Sequence, residues 1–248
     1  MEVRGRGGSL IVLDGGSGIV RLGENIGDIP DRVDILLSHL HMDHIQGLGF
    51  FTPLYDPAVE VHIWGPASTT LDLRTRLTRY LSPPLFPVRL RDLSAVVVHD
   101  LKPGTMHVDG ISVTTDLVSH PGHTFGFRLE DEDGVLSYIS DHEPALGVTD
   151  FPGDPEWTSG TALAFEADVL IHDAQYTDDE YADKTGWGHS TFTQAIAFAE
   201  LVRARTMVTF HHDPAHSDEF LDHVMAAFRS DIVDVVPGMV GASFDVKN

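Results

Sequence analysis

Six short apolar runs in this chain each lead directly into an aspartate or a histidine, and this pattern constrains the fold more than any other feature. The runs are rich in Val, Ile, Leu and Thr and are separated by Gly, Pro and Asp, which is typical of short buried strands. The residues that follow them are Asp14, His39, His120, Asp141, the pair His172 and Asp173, and the pair His211 and His212. Because layered sheet proteins gather ligand sites at the carboxyl ends of their strands, we expect these side chains to share one rim.

Helical patterns lie between the later strands and predict an α/β protein. A capping box opens at Thr191, a second helix is predicted after Ser217, and a third over Ala67–Leu81. Strands dominate the first half and helices interleave later, so a layered α/β sandwich is the expected class. The chain has 248 residues and is 42% hydrophobic, which suffices for a large core, and no linker divides it, so we expect a single domain over residues 1–248.

Composition excludes several classes of function. The chain has no cysteine, which rules out disulfides and thiolate ligands. Its formal net charge of -22 and its three lysines argue against extended nucleic-acid binding, because such binding neutralises phosphates with basic side chains. We see neither an apolar run long enough to cross a bilayer nor a signal peptide, so we expect a soluble, cytoplasmic protein with no membrane partner.

The sharpest local motif is the hexapeptide His39-Leu40-His41-Met42-Asp43-His44. Two histidines two residues apart, in a turn that leaves a strand, can hold one metal ion, while Asp43 and His44 point to a neighbouring position. Imidazole and carboxylate donors suit zinc, with manganese and iron as alternatives. A histidine-rich surface loop is the competing interpretation, but the glycines that follow the motif favour the metal site.

This hexapeptide is the HxHxDH motif of the metallo-β-lactamase superfamily, which the chain resembles from Asp14–Gly18 (DGGSG) to Phe210–Asp213 (FHHD). The resemblance implies a four-layer αββα sandwich with two mixed β-sheets and a cleft that holds two divalent metal ions. It also implies the ligands: His39, His41 and a later histidine for the first ion, Asp43, His44 and a last histidine for the second, and Asp141 as the bridge between them.

The later histidine is either His120 or His123. In the glyoxalase style the histidine of GHT is the ligand, which gives His123, whereas tRNA 3′-processing ribonucleases and related phosphodiesterases place it six residues before Gly-aromatic-Arg, which gives His120. The stretches IHDAQY and GHST resemble the HEAT and HST stretches of that phosphodiesterase branch, so we favour His120. For the last ligand we favour His211, because it leaves its strand directly and His212 should face the opposite way.

Three further residues receive roles by this resemblance. His189 of GHST would contact the phosphate or protonate the leaving oxygen, with local packing near a helix start as its alternative. Asp173, which stands where HEAT has glutamate, would orient His189 or satisfy backbone donors. Asp14 would support the ligand histidines by hydrogen bonding, unless it is only a turn residue, and Asp43 would orient the nucleophile as well as bind metal.

The implied function is a dinuclear metal-dependent hydrolase, a phosphodiesterase that acts on small or cyclic phosphodiesters through a metal-bound hydroxide. One alternative is a thioester or lactone hydrolase of the glyoxalase II kind, and another is a catalytically weak metal-binding sensing module. We therefore expect a small-molecule ester as substrate and no extended nucleic acid. The proline-rich region 50–91 is a candidate lid or homodimer contact.

Overall fold

The structure is a computed structural model that describes residues 1–5, 7–8, 10–27, 30–146, 148 and 151–246. The chain forms two compact units, Met1–Pro103 with His107–Ile111 and Gly104–Met106 with Ser112–Asn248. Each unit has its own hydrophobic core of buried aliphatic and aromatic side chains. The single domain expected over residues 1–248 stays a prediction.

The first unit is built on a five-stranded mixed sheet in the order β1-β2-β3-β4-β5. Its first pair is antiparallel and the other pairs are parallel. The strands are β1 (Glu2–Arg4), β2 (Leu10–Leu13), β3 (Arg32–Leu36), β4 (Glu60–Pro66) and β5 (Val96–Leu101). The helices are α1 (Gly18–Asn25), α2 (Met42–Ile45) and α3 (Leu73–Thr78), with 3₁₀ turns at Leu48–Phe50, Thr52–Tyr55 and Leu90–Asp92. Every residue of β2 is buried, which explains why this strand is a continuous apolar run.

The seven-stranded mixed sheet has the order β12-β11-β10-β9-β8-β7-β6, and strands β8 to β12 and all of β7 except Ile111 lie in the second unit. Strands β9 to β12 are parallel, whereas β7, β8 and β9 pair antiparallel. The strands are β6 (Gly104–Val108), β7 (Ile111–Leu117), β8 (Phe125–Glu130), β9 (Val135–Ile139), β10 (Val169–Asp173), β11 (Thr206–Phe210) and β12 (Asp234–Pro237). The helices are α4 (Thr161–Ala164), α5 (Asp178–Tyr181), α6 (Phe192–Leu201) and α7 (Asp218–Ala227), with a 3₁₀ turn at Pro155–Trp157.

The predicted α/β class with two mixed sheets and flanking helices is confirmed. The capping box at Thr191 is present, with reciprocal bonds to Gln194, and opens α6 as predicted. The helix expected over Ala67–Leu81 is wrong in extent. It begins only after Asp72, whose carboxylate accepts the Thr75 N–H at 2.7 Å and caps α3. Within the described ranges, none of the helices combines the length and apolar content needed to cross a bilayer.

Candidate active site

The first unit brings four predicted ligands together with two supporting residues. We call these six residues the motif cluster: the predicted ligands His39, His41, Asp43 and His44, with Asp14 and Ser38. The imidazole ring of His39 lies 4.4 Å from that of His41 and 4.2 Å from that of His44, measured between centroids. His41 is the N-cap of the short helix α2, so the chain turns immediately after it and returns His44 towards His39. A carboxylate oxygen of Asp43 lies 3.2 Å from His44 Nε2, which places an acidic oxygen beside an imidazole nitrogen.

Asp14 links Ser38 and His44 of the motif cluster by hydrogen bonds. Parallel pairing of β2 with β3 brings its carboxylate to Ser38, whose N–H and hydroxyl donate to Oδ1 at 2.7 and 3.0 Å. Its Oδ2 lies 2.8 Å from His44 Nδ1. Burial acts to raise the pKa of Asp14, but the charge and hydrogen bond of His44 outweigh burial and lower it. The carboxylate therefore accepts a hydrogen bond from the Nδ1–H of His44, which leaves Nε2 with a lone pair for a metal.

Ser38 extends this support to His39. Its Oγ lies 3.1 Å from His39 Nδ1 while its hydroxyl donates to Asp14. If Nδ1 is the protonated nitrogen, the Ser38 oxygen accepts its hydrogen and Nε2 is again the lone-pair donor. One buried carboxylate thus orients two histidines, one directly and one through a hydroxyl.

The second unit gathers the remaining predicted residues, which we call the strand-end cluster: His120, Asp141, Asp173, His189 and His211. Strands β9, β10 and β11 are parallel, so their carboxyl ends lie at one edge of the sheet. His211 follows β11 directly, and its Nε2 lies 3.4 Å from a carboxylate oxygen of Asp141. The Nε2 of His120 lies 3.9 Å from the same oxygen. The edge predicted from the sequence therefore exists in this unit.

His120 is fixed by the backbone of Gly188. Its Nδ1 donates to the Gly188 carbonyl at 2.8 Å, which directs Nε2 towards Asp141. Gly188 has a φ of +92°, and a Cβ there would lie 2.4 Å from His120 Nδ1 and 2.3 Å from Pro121 Cδ. Only glycine allows this close approach. The sequence alternative His123 is exposed, whereas His120 is buried. The assignment of His120 as a ligand stays a prediction.

The buried carboxylate of Asp173 and the partly buried ring of His189 form a hydrogen-bonded pair. His189 Nδ1 lies 2.7 Å from Asp173 Oδ2, and the other carboxylate oxygen accepts the N–H groups of Ser190 and Gln175 at 3.0 and 3.1 Å. Complete burial raises the pKa of Asp173, although the hydrogen bond from His189 opposes this effect. The His189 ring is stacked on that of His211 at 5.1 Å and meets that of His120 edge-on at 5.0 Å. Both sequence interpretations of Asp173 are compatible with these contacts, since it orients His189 and also satisfies backbone donors.

His211 and His212 face different surroundings, as the strand geometry predicted. His211 adopts a left-handed backbone with a φ of +57°, and the Gln175 side-chain amide lies 3.0 Å from its Nδ1. The ring of His212 instead stacks on Phe192, and its Nδ1 lies 3.1 Å from the carbonyl oxygen of Ala174. Burial lowers the pKa of His212, so this imidazole is neutral in the fold.

His142 and His172 are fully buried in the second unit. His142 Nδ1 lies 2.9 Å from His172 Nε2, and His172 Nδ1 donates to the Asp173 carbonyl at 2.8 Å. Burial lowers the pKa of His142 well below its usual range and that of His172 to about 4. Both rings are therefore neutral at physiological pH.

Sequence reasoning missed Glu143, the residue that organises the loop before His189. Its buried carboxylate accepts the N–H groups of Gly186 and Gly188, both at 2.9 Å, and the hydroxyl of Tyr181. It follows Asp141 by two positions, but its partners lie 38 to 45 residues further along the chain. A local pattern could not have revealed them. Ser38 was missed as well, although its place directly before the His39 motif is a usable signal.

The donor chemistry of both clusters fits divalent metal ions. In the second unit the ligand atoms of His120, Asp141 and His189 lie within 4.8 Å of one another, as do those of Asp173, His189 and His211. In the motif cluster, three imidazoles and the Asp43 carboxylate lie together. Nitrogen and oxygen donors of this kind are preferred by zinc, manganese and iron.

Comparison with known proteins places this chain among metal-dependent hydrolases. A family model described as "Beta-lactamase superfamily domain" matches residues 14–212. Ribonuclease Z of Thermococcus gammatolerans is 25% identical, over 86% of this chain and 78% of that protein. Human tRNase Z, short form, is 23% identical with a TM-score of 0.62, over 86% of this chain and 85% of that one. A diphosphatase from the PhnP family is 16% identical with a TM-score of 0.66, over 95% of this chain and 79% of that one.

These relatives correct one expectation. The exclusion of extended nucleic acid is wrong, because proteins named ribonuclease Z match most of the chain. The argument failed because a net charge of -22 sums over the whole surface, whereas a phosphate responds to the charges near it. From the matched residues and the donor chemistry of the two clusters, the chain belongs to the beta-lactamase superfamily and is a metal-dependent hydrolase.

Proposed function

We propose that this protein hydrolyses phosphodiesters with two divalent metal ions, most simply zinc. The observation that carries the proposal is His189, an imidazole held at Nδ1 by buried Asp173 and placed against His120 and His211. Phosphodiester cleavage needs a proton donor for the departing oxygen beside the groups that balance the charge on phosphorus. Similarity to proteins named ribonuclease Z and diphosphatase supports the same chemistry.

The seven residues predicted from the sequence would supply the metal ligands: His39, His41, Asp43, His44, His120, Asp141 and His211. When bound, the two ions would lower the pKa of a water and balance the charge that develops on the phosphoryl oxygens. The support is the orientation of the side chains within each unit. His44 and His120 both have Nδ1 paired, with Asp14 and the Gly188 carbonyl respectively, and so present Nε2.

The chain's own residues would handle the proton and the orientation of the substrate. With Nδ1 paired to Asp173, His189 can hold a proton at Nε2 and give it to the leaving oxygen. Asp173 keeps the ring in one orientation and balances the charge that appears when His189 is protonated. The Asp43 carboxylate is more than half exposed, so it can bind metal and also accept a hydrogen bond from the attacking water.

The test compares His189→Ala with the wild type in metal content and in turnover. Substrates are bis(p-nitrophenyl) phosphate, a cyclic nucleotide, a precursor tRNA, a thioester and a lactone. We expect hydrolysis of at least one phosphodiester, and a fall in kcat of about 10²–10⁴-fold in the variant with its metal retained. Turnover of only the thioester or lactone would overturn the proposal, and loss of metal from His189→Ala would overturn the role of His189.

A second pair of variants separates the two candidate ligands. His120→Ala should lose bound metal, whereas His123→Ala should retain it, because the exposed His123 is placed in none of the clusters described above. The opposite result would assign the ligand to His123 and the glyoxalase pattern to this chain.

A further inference from the structure

Trp187 is an exposed tryptophan close to His189 in the sequence. Trp187 is 55% exposed and lies two residues before His189. The amide groups on both sides of it, those of Gly186 and Gly188, donate to the buried carboxylate of Glu143 at 2.9 Å. These hydrogen bonds hold the backbone on both sides of the exposed indole in place.

Trp64 shows the contrasting structural use of a tryptophan. That indole is half-buried, donates its N–H to Asp34 at 2.8 Å, and stacks on His99 at 3.8 Å. Trp187 instead is more than half exposed, with Lys184 over one face of its ring. A large aromatic side chain that is fixed and yet exposed beside a catalytic group is typical of a binding surface.

Lys184 supplies a positive charge at the same place. Its Nζ lies 4.0 Å above the centre of the Trp187 ring and 5.7 Å from that of Tyr176. The Tyr176 ring meets the His189 ring edge-on at 5.9 Å. Trp187, Lys184, Tyr176 and His189 thus form a continuous row. This placement is informative because the chain has three lysines and 38 acidic residues.

Resting on the proposed phosphodiester hydrolysis, we propose that Trp187 and Lys184 form a nucleotide subsite beside His189. A nucleobase stacks on the Trp187 indole, and Lys184 contacts the phosphate attached to that nucleoside. An aromatic face together with a lysine is the combination by which proteins hold single-stranded nucleotides without reading their sequence. The ligand class is therefore a nucleoside phosphate, either free or within an RNA strand.

Calorimetric titration of the metal-loaded protein tests the subsite without requiring turnover. The probes are adenosine 5′-monophosphate and ribose 5-phosphate, which lacks the base. Trp187→Ala should weaken binding of the nucleotide about tenfold and leave ribose 5-phosphate unchanged, because only the base stacks. Trp187→Phe should recover part of the affinity. Lys184→Ala should weaken both ligands and reduce the salt dependence of binding.

Trp157→Ala is the matched control, since Trp157 is 79% exposed in the same unit but lies on the 3₁₀ turn Pro155–Trp157. It should bind both probes as the wild type does. Equal nucleotide affinity in Trp187→Ala and wild type would overturn the subsite, as would an equal loss for both probes.

A phosphorothioate hexaribonucleotide identifies the source of the ligand. Binding much tighter than that of the mononucleotide indicates RNA, and equal binding indicates a free nucleotide; the subsite is supported in either case if the affinity depends on Trp187. If nucleotide affinity depends on Trp187 but the protein hydrolyses no phosphodiester, the proposed function is overturned and the subsite is kept. If Trp187→Ala changes neither phosphodiester turnover nor nucleotide binding, the subsite is overturned and the proposed function is kept.

Discussion

The two clusters are built in opposite ways. The motif cluster takes four predicted ligands from the six residues His39–His44 and orients two of them through one carboxylate, Asp14. The strand-end cluster draws its residues from the ends of separate strands and loops, and it depends on contacts between residues far apart in sequence, such as Gly188 with His120. Local chain geometry therefore shapes the first cluster, whereas sheet topology shapes the second.

Removal of a ligand from the motif cluster should have the largest effect. His41→Ala should lose bound metal and reduce turnover about a thousandfold or more, because the charge stabilisation by a metal ion is worth several kcal/mol. Elemental analysis and phosphodiester hydrolysis measure the two effects. Full metal content in this variant would show that the hexapeptide is not the local source of ligands.

Lowering the pH should weaken the buried groups that support the two clusters over different pH ranges. Burial lowers the folded-state pKa of His172 to about 4, below the ordinary value of about 6.5 expected in the unfolded chain. As the pH falls from about 6.5 to about 4, the unfolded chain takes up a proton that the folded one does not, so stability falls by about 3 kcal/mol. The lowered pKa of Asp14 has its effect only in stronger acid, below its ordinary value of about 4.

Urea unfolding as a function of pH measures this difference. His172→Gln can still bond to His142 and should show a flatter loss of stability between pH 6.5 and 4. His223→Gln, at an exposed position of α7, should follow the wild type. If stability falls equally steeply with pH in all three proteins, His142 and His172 are not held neutral by burial.

Asp14→Asn tests whether one carboxylate orients the motif cluster. The amide cannot accept every hydrogen that Ser38 and His44 donate, so zinc affinity should fall about 10- to 100-fold. Competition with a zinc chelator measures the affinity. Asp34→Asn is the control, since Asp34 is equally buried but pairs with Arg32 and Trp64. A similar loss of affinity in both variants would indicate general damage to the sheet.

Gly188→Ala should act locally, on the strand-end cluster, because the backbone at this position leaves no room for a Cβ. The left-handed backbone at this position costs a residue with a Cβ about 1–2 kcal/mol, and the new methyl group would displace His120. Thermal unfolding and metal content report these two consequences. Gly153→Ala, where a Cβ meets open space, should change neither. Unchanged metal content in Gly188→Ala would show that the Gly188 carbonyl does not position His120.

The contrast between the clusters also explains what could be read from the sequence. Asp14, His39 and Asp141 were found because each follows an apolar run, and strand periodicity is a local signal. Glu143 was missed because its partners depend on how a distant loop folds back. The extent of α3 was wrong because the cap at Asp72 prevailed over a longer helical pattern. The nucleic-acid expectation failed because net charge carries no information on position.

The most direct test of the account is the number of divalent ions bound per chain. Protein reconstituted with zinc and freed of excess ion by gel filtration should contain two zinc ions per chain by elemental analysis. A content of none or one would contradict the proposal that the motif cluster and the strand-end cluster supply the ligands of two ions.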